Sequence, residues 1–166
     1  MPRYLTLTRP RLSLGIPMKR RVRTAILAGA GTSLAACATP SDGLVRYEVA
    51  GDSIPAALTS TAGDPQRGRA IVVGREGNCL LCHAIPETGE KFMGNVAPPL
   101  SGVGSRRSAG QLRLRIVDST RLNKDVVMPA YYRVHGLDSP AAEYRGKPIL
   151  TAQQVEDVVA YLRTLR

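Results

Sequence analysis

The sequence predicts an all-α domain in which a few helices are joined by long loops. Two segments carry helix-start signals, one near position 64 and one near position 151. Loops rich in glycine and proline lie between them, and no series of alternating segments predicts a β-sheet. One phenylalanine and no tryptophan leave such a domain short of large core side chains, so its core needs another source of apolar bulk.

The first helix is predicted in "GDPQRGRAIVVGREG", residues 63–77. Asp64 is a suitable N-cap, and Pro65 fits the first helical position, where its missing N–H group costs nothing. Apolar residues then form one side of the segment, and Gly77 is expected to end it.

The segment "QLRLRIVDS", residues 111–119, is compatible with a strand or a helix. Its alternation of leucine and arginine is typical of a strand, whereas Leu112 and Ile116 fit one face of a helix that begins at Ser108. The preceding residues 85–110 are rich in glycine, proline and serine and are interpreted as loop.

The clearest helix is "LTAQQVEDVVAYLRTLR", residues 150–166. Thr151 as N-cap and Gln154 three residues later form a capping box. Glu156 and Asp157 lie in the first turns, where negative charge matches the helix dipole. Apolar residues recur at helical spacing and give one apolar face: Val155, Val158, Val159, Leu162 and Leu165.

The net charge of +10 is concentrated at the N-terminus. Residues 1–37 hold seven of the 23 lysines and arginines and no acidic residue, which leaves 16 basic against 13 acidic residues elsewhere. A nearly neutral domain is a poor candidate for phosphate-driven binding, so we predict no nucleic-acid partner.

The basic N-terminal segment has the layout of a secretory signal. "MKRRVRTAILAGAGTSLAACATP", residues 18–40, runs from a basic cluster through a small-residue apolar stretch to small residues. We predict a signal peptide over 1–37, with Met18 as the expected start of translation, and hence export to the periplasm. "LAAC" also resembles a lipobox, in which Cys37 becomes a lipid anchor; the alternative is ordinary cleavage just after "ACA", which discards Cys37.

Residues 38–62 are rich in glycine, proline, serine and threonine and show no sustained period. We interpret them as a tether or as an extension wrapped on the domain. The domain proper is expected over 63–166.

Cys79, Cys82 and His83 lie within five positions, in "CLLCH". Cysteines at this spacing serve as a redox disulfide, as half of a zinc site or as a haem attachment site. A zinc site needs two more ligands, and a thioredoxin-type pair needs a βαβ setting that this sequence lacks. A histidine directly after the second cysteine fits the third use, with two thioethers to one haem c and His83 as proximal iron ligand. The haem then supplies the missing core bulk.

The second ring nitrogen of His83 needs a partner that fixes the ring. "APPL" follows at residues 97–100, and the carbonyl group of Pro98 or Pro99 is a candidate acceptor. The alternative is an ordinary rigid loop.

Met93, Met128 and His135 are the candidates for the sixth iron ligand. We favour Met128, because Pro129 stiffens the chain after it and 45 residues separate it from His83, enough to pass around the haem edge. A methionine sulfur favours ferrous iron and raises the reduction potential. Two axial ligands leave no position for substrate, which predicts one-electron transfer. An open sixth position would instead suit a gas sensor or a ligand carrier.

These motifs resemble, in their order along the chain, those of class I cytochromes c. The resemblance rests on "GDPQRGRAIV", "CLLCH", "APPL", Met128 in "VVMPAYY" and "LTAQQVEDVVAYLRTL". It covers 63–166 and implies an all-α class I cytochrome c fold, with helices and long loops wrapped around one covalently attached haem. It also implies that the terminal helices cross near Gly68 and Tyr161, and it favours a helix over 111–118.

A narrower resemblance, carried by "NVAPPLSGVGSR", "QLRLRIVDSTRLN" and "MPAYYRVHGL", is to the SoxX family of monohaem subunits in bacterial sulfur oxidation. It implies a SoxA-like partner with its own haem and a catalytic cysteine. The resulting L-cysteine S-thiosulfotransferase joins thiosulfate to a cysteine of a SoxYZ-like carrier protein. This chain would be its non-catalytic electron-transfer subunit, with an external cytochrome c as acceptor. The alternative is a free-standing periplasmic cytochrome c that shuttles electrons.

The segment 121–150 distinguishes these two functions. It contains Tyr131, Tyr132 and Tyr144 together with two arginines, Arg133 and Arg145. Exposed aromatic and arginine side chains are enriched in stable interfaces, which favours a partner subunit. The alternative is a loop that packs back over the haem edge.

Overall fold

The structure, a computed structural model, describes residues 43–166. The predicted signal peptide over 1–37, the start at Met18, the lipid anchor at Cys37 and the first residues of the extension lie outside the described residues. Residues 43–166 contain no β-strand, which confirms the all-α prediction. Long loops and short 3₁₀ turns join four α-helices: α1 (Pro65–Val73), α2 (Val103–Arg106), α3 (Ala109–Asp118) and α4 (Ala152–Thr164).

Helix α1 begins as predicted and ends earlier than predicted. The Asp64 carboxylate accepts hydrogen bonds from the N–H groups of Gln66 and Arg67, and Pro65 occupies the first turn. The helix ends at Val73, because Gly74 turns to extended backbone and donates its N–H to the Ala70 carbonyl group. Gly77, the expected end, lies beyond the helix.

The ambiguous segment forms a helix, α3. The Ser108 hydroxyl accepts from the Gln111 N–H group, and the Gln111 side chain accepts from the Ser108 N–H group, which makes a capping box. The strand-like alternation is misleading because Arg113, although charged, is as buried as the leucines on either side of it.

Helix α4 also begins with the predicted capping box, formed by Thr151 and Gln154. It crosses α1 where the resemblance implied. A Cβ atom on Gly68 would collide with the Asp157 carbonyl group and lie 2.9 Å from the Tyr161 Cβ atom, so only glycine allows this close approach.

The two acidic residues of α4 follow its first turn, and both are buried. Glu156 and Asp157 are only 5% and 2% exposed. Glu156 forms two hydrogen bonds with Arg113, of 2.7 and 2.8 Å, and accepts from the Leu58 N–H group at 2.8 Å. Both carboxylates have partners on distant segments, and a buried charge needs such partners.

Asp157 is held by three groups. The Arg67 guanidinium donates to it at 2.8 and 2.9 Å, the Asp64 N–H group at 2.8 Å and the Gln153 amide at 3.0 Å. Burial by itself raises the pKa of Asp157, but these hydrogen bonds outweigh burial, so the pKa is lowered. A carboxylate whose pKa is lower in the folded state stabilises the fold above its unfolded pKa.

We therefore expect the free energy of unfolding to depend on Asp157 at neutral pH and to lose that dependence in acid. Asp157→Asn should be less stable than the wild type near pH 6. The gap should narrow as the pH falls below the unfolded pKa of about 3.9, and it should close only below the lowered pKa of the folded state. Urea unfolding at pH 6 and at a series of lower pH values measures the gap, and Asp138→Asn, at an exposed position, is the control. A stability difference of equal size at pH 6 and at the lowest pH would contradict the conclusion that the ionised Asp157 carboxylate stabilises the fold.

The described part of the extension, residues 43–62, packs on the helices. Ile54 and Leu58 are buried in the core, and the Ile54 N–H group donates to the Gly110 carbonyl group at 3.0 Å. The Val45 N–H group donates to the Tyr132 hydroxyl at 2.8 Å. Of the two interpretations of this segment, these contacts favour the wrapped extension.

The predicted interface in 121–150 needs correction. Tyr131 and Tyr132 are 8% and 2% exposed and belong to the hydrophobic core, so they are not the exposed interface side chains that were expected. Arg133 is half-buried and pairs with Asp118 at 3.1 Å. Tyr144 is half-buried and Arg145 is exposed, so of the residues named for the interface these two stay at the surface, whereas Tyr131 and Tyr132 fill the core.

Candidate haem-binding site

Cys79 and Cys82 lie on one tight turn. A 3₁₀ turn over Cys79–Leu81 follows Asn78, and the N–H groups of Cys82 and His83 both donate to the Cys79 carbonyl group, at 3.2 and 2.9 Å. Neither cysteine is in a disulfide. We name residues 78–83 the attachment turn.

The segment after the attachment turn packs directly against it. The Gly94 N–H group donates to the Leu80 carbonyl group at 2.7 Å, and a Cβ atom on Gly94 would collide with the Leu81 carbonyl group. The next contact is a hydrogen bond of 2.9 Å from the Ala97 N–H group to the Cys82 carbonyl group. These contacts bring the proline pair to His83.

His83 Nδ1 lies 2.7 Å from the Pro98 carbonyl oxygen. A carbonyl oxygen only accepts, so Nδ1 carries the proton and Nε2 keeps its lone pair for a metal ion. Of the two prolines left open by the sequence, Pro98 therefore makes this contact. The Pro99 carbonyl group instead accepts from the Arg106 guanidinium at 3.3 Å, which braces the same loop.

All five predicted site residues line one cavity of about 560 Å³. They are Cys79, Cys82, His83, Pro98 and Met128. Each α-helix contributes an apolar wall, from residues that include Val72, Val103, Leu112, Ile116, Val158 and Leu162. The volume is in the range of cofactor pockets, and the largely apolar walls with two thiols and one imidazole fit a covalently attached haem.

The three candidates for the sixth ligand differ in position. Met128 lines the cavity, whereas Met93 and His135 are not among its lining residues. The Met93 sulfur accepts from the Ile85 N–H group at 3.1 Å, and His135 is exposed. Among these three residues, Met128 alone is placed to reach a haem in the cavity.

The cavity also has arginines that the sequence analysis did not single out. Arg106, Arg107 and Arg115 are among its lining residues. Guanidinium groups pair well with carboxylates, so these residues could bind the two carboxylates of a haem. These arginines are hard to recognise from the sequence as cavity residues, because nothing in "GSRRSAGQLRLR" distinguishes them from the buried Arg113.

Tyr131 is a further residue of the cavity wall. Its hydroxyl donates to the Gly77 carbonyl group at 2.6 Å. Burial raises the pKa of the Tyr131 phenol well above its ordinary value, so the phenol stays protonated and remains a donor. Burial also raises the pKa of the neighbouring Cys79 thiol to about 11.

Comparison with known proteins identifies the family. A family model described as "Cytochrome c" matches residues 65–166. A solved structure, the crystal structure of SoxXA from P. pantotrophus, is similar at 38% sequence identity and a TM-score of 0.67; the match covers 72% of this chain and 93% of that chain. No curated protein matches. The chain belongs to the cytochrome c family, as a SoxX-like class I member with one covalently attached haem c.

Proposed function

We propose that this chain is the electron-transfer subunit of a thiosulfate-oxidising complex of the SoxAX type. The observation that carries the proposal is the single cavity that collects Cys79, Cys82, His83 and Met128, in a chain similar to one from a SoxXA structure. When bound there, haem takes up and releases one electron at a time.

The residues around the cavity each have a role in this function. Cys79 and Cys82 would hold the haem covalently, and His83, oriented by its bond to the Pro98 carbonyl group, would bind its iron. Met128 would supply the second protein ligand, whose soft sulfur favours the ferrous state. The apolar walls would keep water away from the bound group, and with His83 and Met128 both bound to the iron no position would remain for a substrate.

Residues 43–166 would supply no free thiol for the sulfur chemistry. Cys79 and Cys82 are the cysteines among residues 43–166, and haem uses both. The catalytic cysteine therefore belongs to a SoxA-like partner, and thiosulfate is joined to a cysteine of a SoxYZ-like carrier. The electrons released by that oxidation leave through an external cytochrome c.

We further propose that the protein acts in the periplasm after removal of a leader over 1–37, with the cytochrome c domain over 63–166. Cys37 is then either the lipidated first residue or lost with the leader. None of the helices within residues 43–166 is long and apolar enough to cross a membrane.

Co-expression with the SoxA-like protein, in a host that attaches haem c, tests the function. We expect the two proteins to co-purify, the mature chain to weigh one haem more than its amino acids, and thiosulfate with the carrier protein to reduce the haem. A Cys79→Ser/Cys82→Ser chain should lack the added mass. A haem-bearing monomer that binds no SoxA-like protein, and that many partners reduce and oxidise equally, would instead indicate a free-standing shuttle.

A further inference from the structure

Tyr131 connects the two parts of the chain that are proposed to hold the haem iron. It follows Met128 by three residues, and the Gly77 carbonyl group that its hydroxyl contacts at 2.6 Å precedes Cys79 by two. The side chain is 8% exposed and lines the haem cavity. One hydrogen bond thus spans 54 residues of sequence, between the methionine loop and the entry to the attachment turn.

The backbone of Tyr131 is fixed on both sides. Its N–H group donates to the Ile116 carbonyl group of α3 at 3.2 Å, and its carbonyl group accepts from the Leu150 N–H group, just before α4, at 3.0 Å. Together with the phenol, these bonds connect Tyr131 to three separate walls of the cavity.

The backbone around Met128 is held by weaker hydrogen bonds, although the Met128 side chain packs against the core. Its carbonyl group accepts from the Ser119 hydroxyl at 3.5 Å, at the limit of a hydrogen bond. The preceding Val127 is 84% exposed, and the Val126 N–H group reaches its acceptor, the Asn123 carbonyl group, only at 3.4 Å. The nearest firmly anchored position after Met128 is the Tyr131 backbone and side chain.

We propose that Tyr131 is a positioning residue that holds the Met128 sulfur in reach of the haem iron by tying the methionine loop to Gly77. This inference rests on the proposed role of Met128 as axial ligand. Removing the hydroxyl leaves the aromatic ring and the two backbone hydrogen bonds of Tyr131 in place. It removes the one direct bond between the methionine loop and the entry to the attachment turn. Met128 then competes less well with an external ligand for the iron.

Tyr131→Phe in the haem-loaded protein tests this role, and Tyr132→Phe is the matched control. The Tyr132 hydroxyl is also hydrogen-bonded, to the Val45 N–H group at 2.8 Å, but this residue is not among those that line the cavity. A purely structural role predicts that both variants lose thermal stability and that neither changes the axial ligand.

The measurement is a titration of the ferric protein with imidazole at pH 7, followed through the long-wavelength absorption band of methionine-ligated haem. We expect imidazole to displace Met128 at a concentration about tenfold lower in Tyr131→Phe, as for the loss of one buried hydrogen bond, and at the wild-type concentration in Tyr132→Phe. In a Met128→Ala background, Tyr131→Phe should leave imidazole affinity unchanged, because no methionine remains to compete.

Three results would overturn the inference: an unchanged titration of Tyr131→Phe, equal shifts in both tyrosine variants, or a Tyr131→Phe chain that acquires no haem. If the wild type has the methionine band and Tyr131→Phe needs the same imidazole concentration to lose it, only the proposed role of Tyr131 fails. If the wild type lacks the band, Met128 is not the ligand and both proposals fail. A SoxA-like partner that does not co-purify would leave the role of Tyr131 standing.

Discussion

Met128→Ala is expected to abolish the long-wavelength absorption band of the ferric protein and to lower its reduction potential by on the order of a hundred millivolts. The thioether sulfur stabilises ferrous iron, so its loss favours the ferric state. Imidazole should also bind the variant without competition from the protein. The covalent haem should remain, because Cys79 and Cys82 are unchanged.

Met93→Leu and His135→Ala are the matched controls for this prediction. Each removes another candidate ligand from a position outside the cavity lining. Both proteins should keep the band and the wild-type potential, although Met93→Leu should cost some stability because the Ile85 N–H group loses its acceptor. A band that survives in Met128→Ala, or disappears in Met93→Leu, would contradict the assignment of Met128.

The features that sequence predicts well here depend on neighbours close along the chain. The N-caps Asp64, Ser108 and Thr151 act on groups two or three residues away, so their sequence patterns contain both partners. The attachment turn is equally local, because both cysteines and the histidine lie within five residues. The family resemblance added the long-range pairing of α1 with α4 at Gly68, which no local pattern contains.

The features that sequence did not predict depend on partners far along the chain. Glu156 at a helix start looks like a surface charge, because Arg113 and Leu58 are 43 and 98 residues away. Tyr131 and Tyr132 look like interface residues for the same reason, because their hydroxyl partners, at Gly77 and Val45, are 54 and 87 residues away. Hydrophobic and charge patterns depend only on residue type, whereas the burial of a residue depends on which distant residues the fold packs against it.

Substitutions in the buried pair of Arg113 and Glu156 should have a large effect on stability. Both side chains are about 5% exposed, and they meet through two short parallel hydrogen bonds. Arg113 also donates to the Ile54 carbonyl group at 2.6 Å, and Glu156 accepts from the Leu58 N–H group. The pair therefore joins α3, α4 and the wrapped extension at one point.

Removing either partner alone leaves the other as an uncompensated buried charge, so Glu156→Leu and Arg113→Met should each lower the free energy of unfolding by about 3–5 kcal/mol. The double variant should recover much of this loss, because it buries two apolar side chains in place of one unpaired ion.

Urea unfolding of the wild type, the two single variants and the double variant measures this double-mutant cycle. Asp52→Asn, which weakens the more exposed pair with Arg115, is the control and should cost no more than about 1 kcal/mol. If the single variants lower the free energy of unfolding as little as this control does, water must reach the pair, and the extension cannot be closed over it. If the double variant is no more stable than the single variants, the hydrogen bonds to the backbone of Ile54 and Leu58 matter more than the ion pair itself.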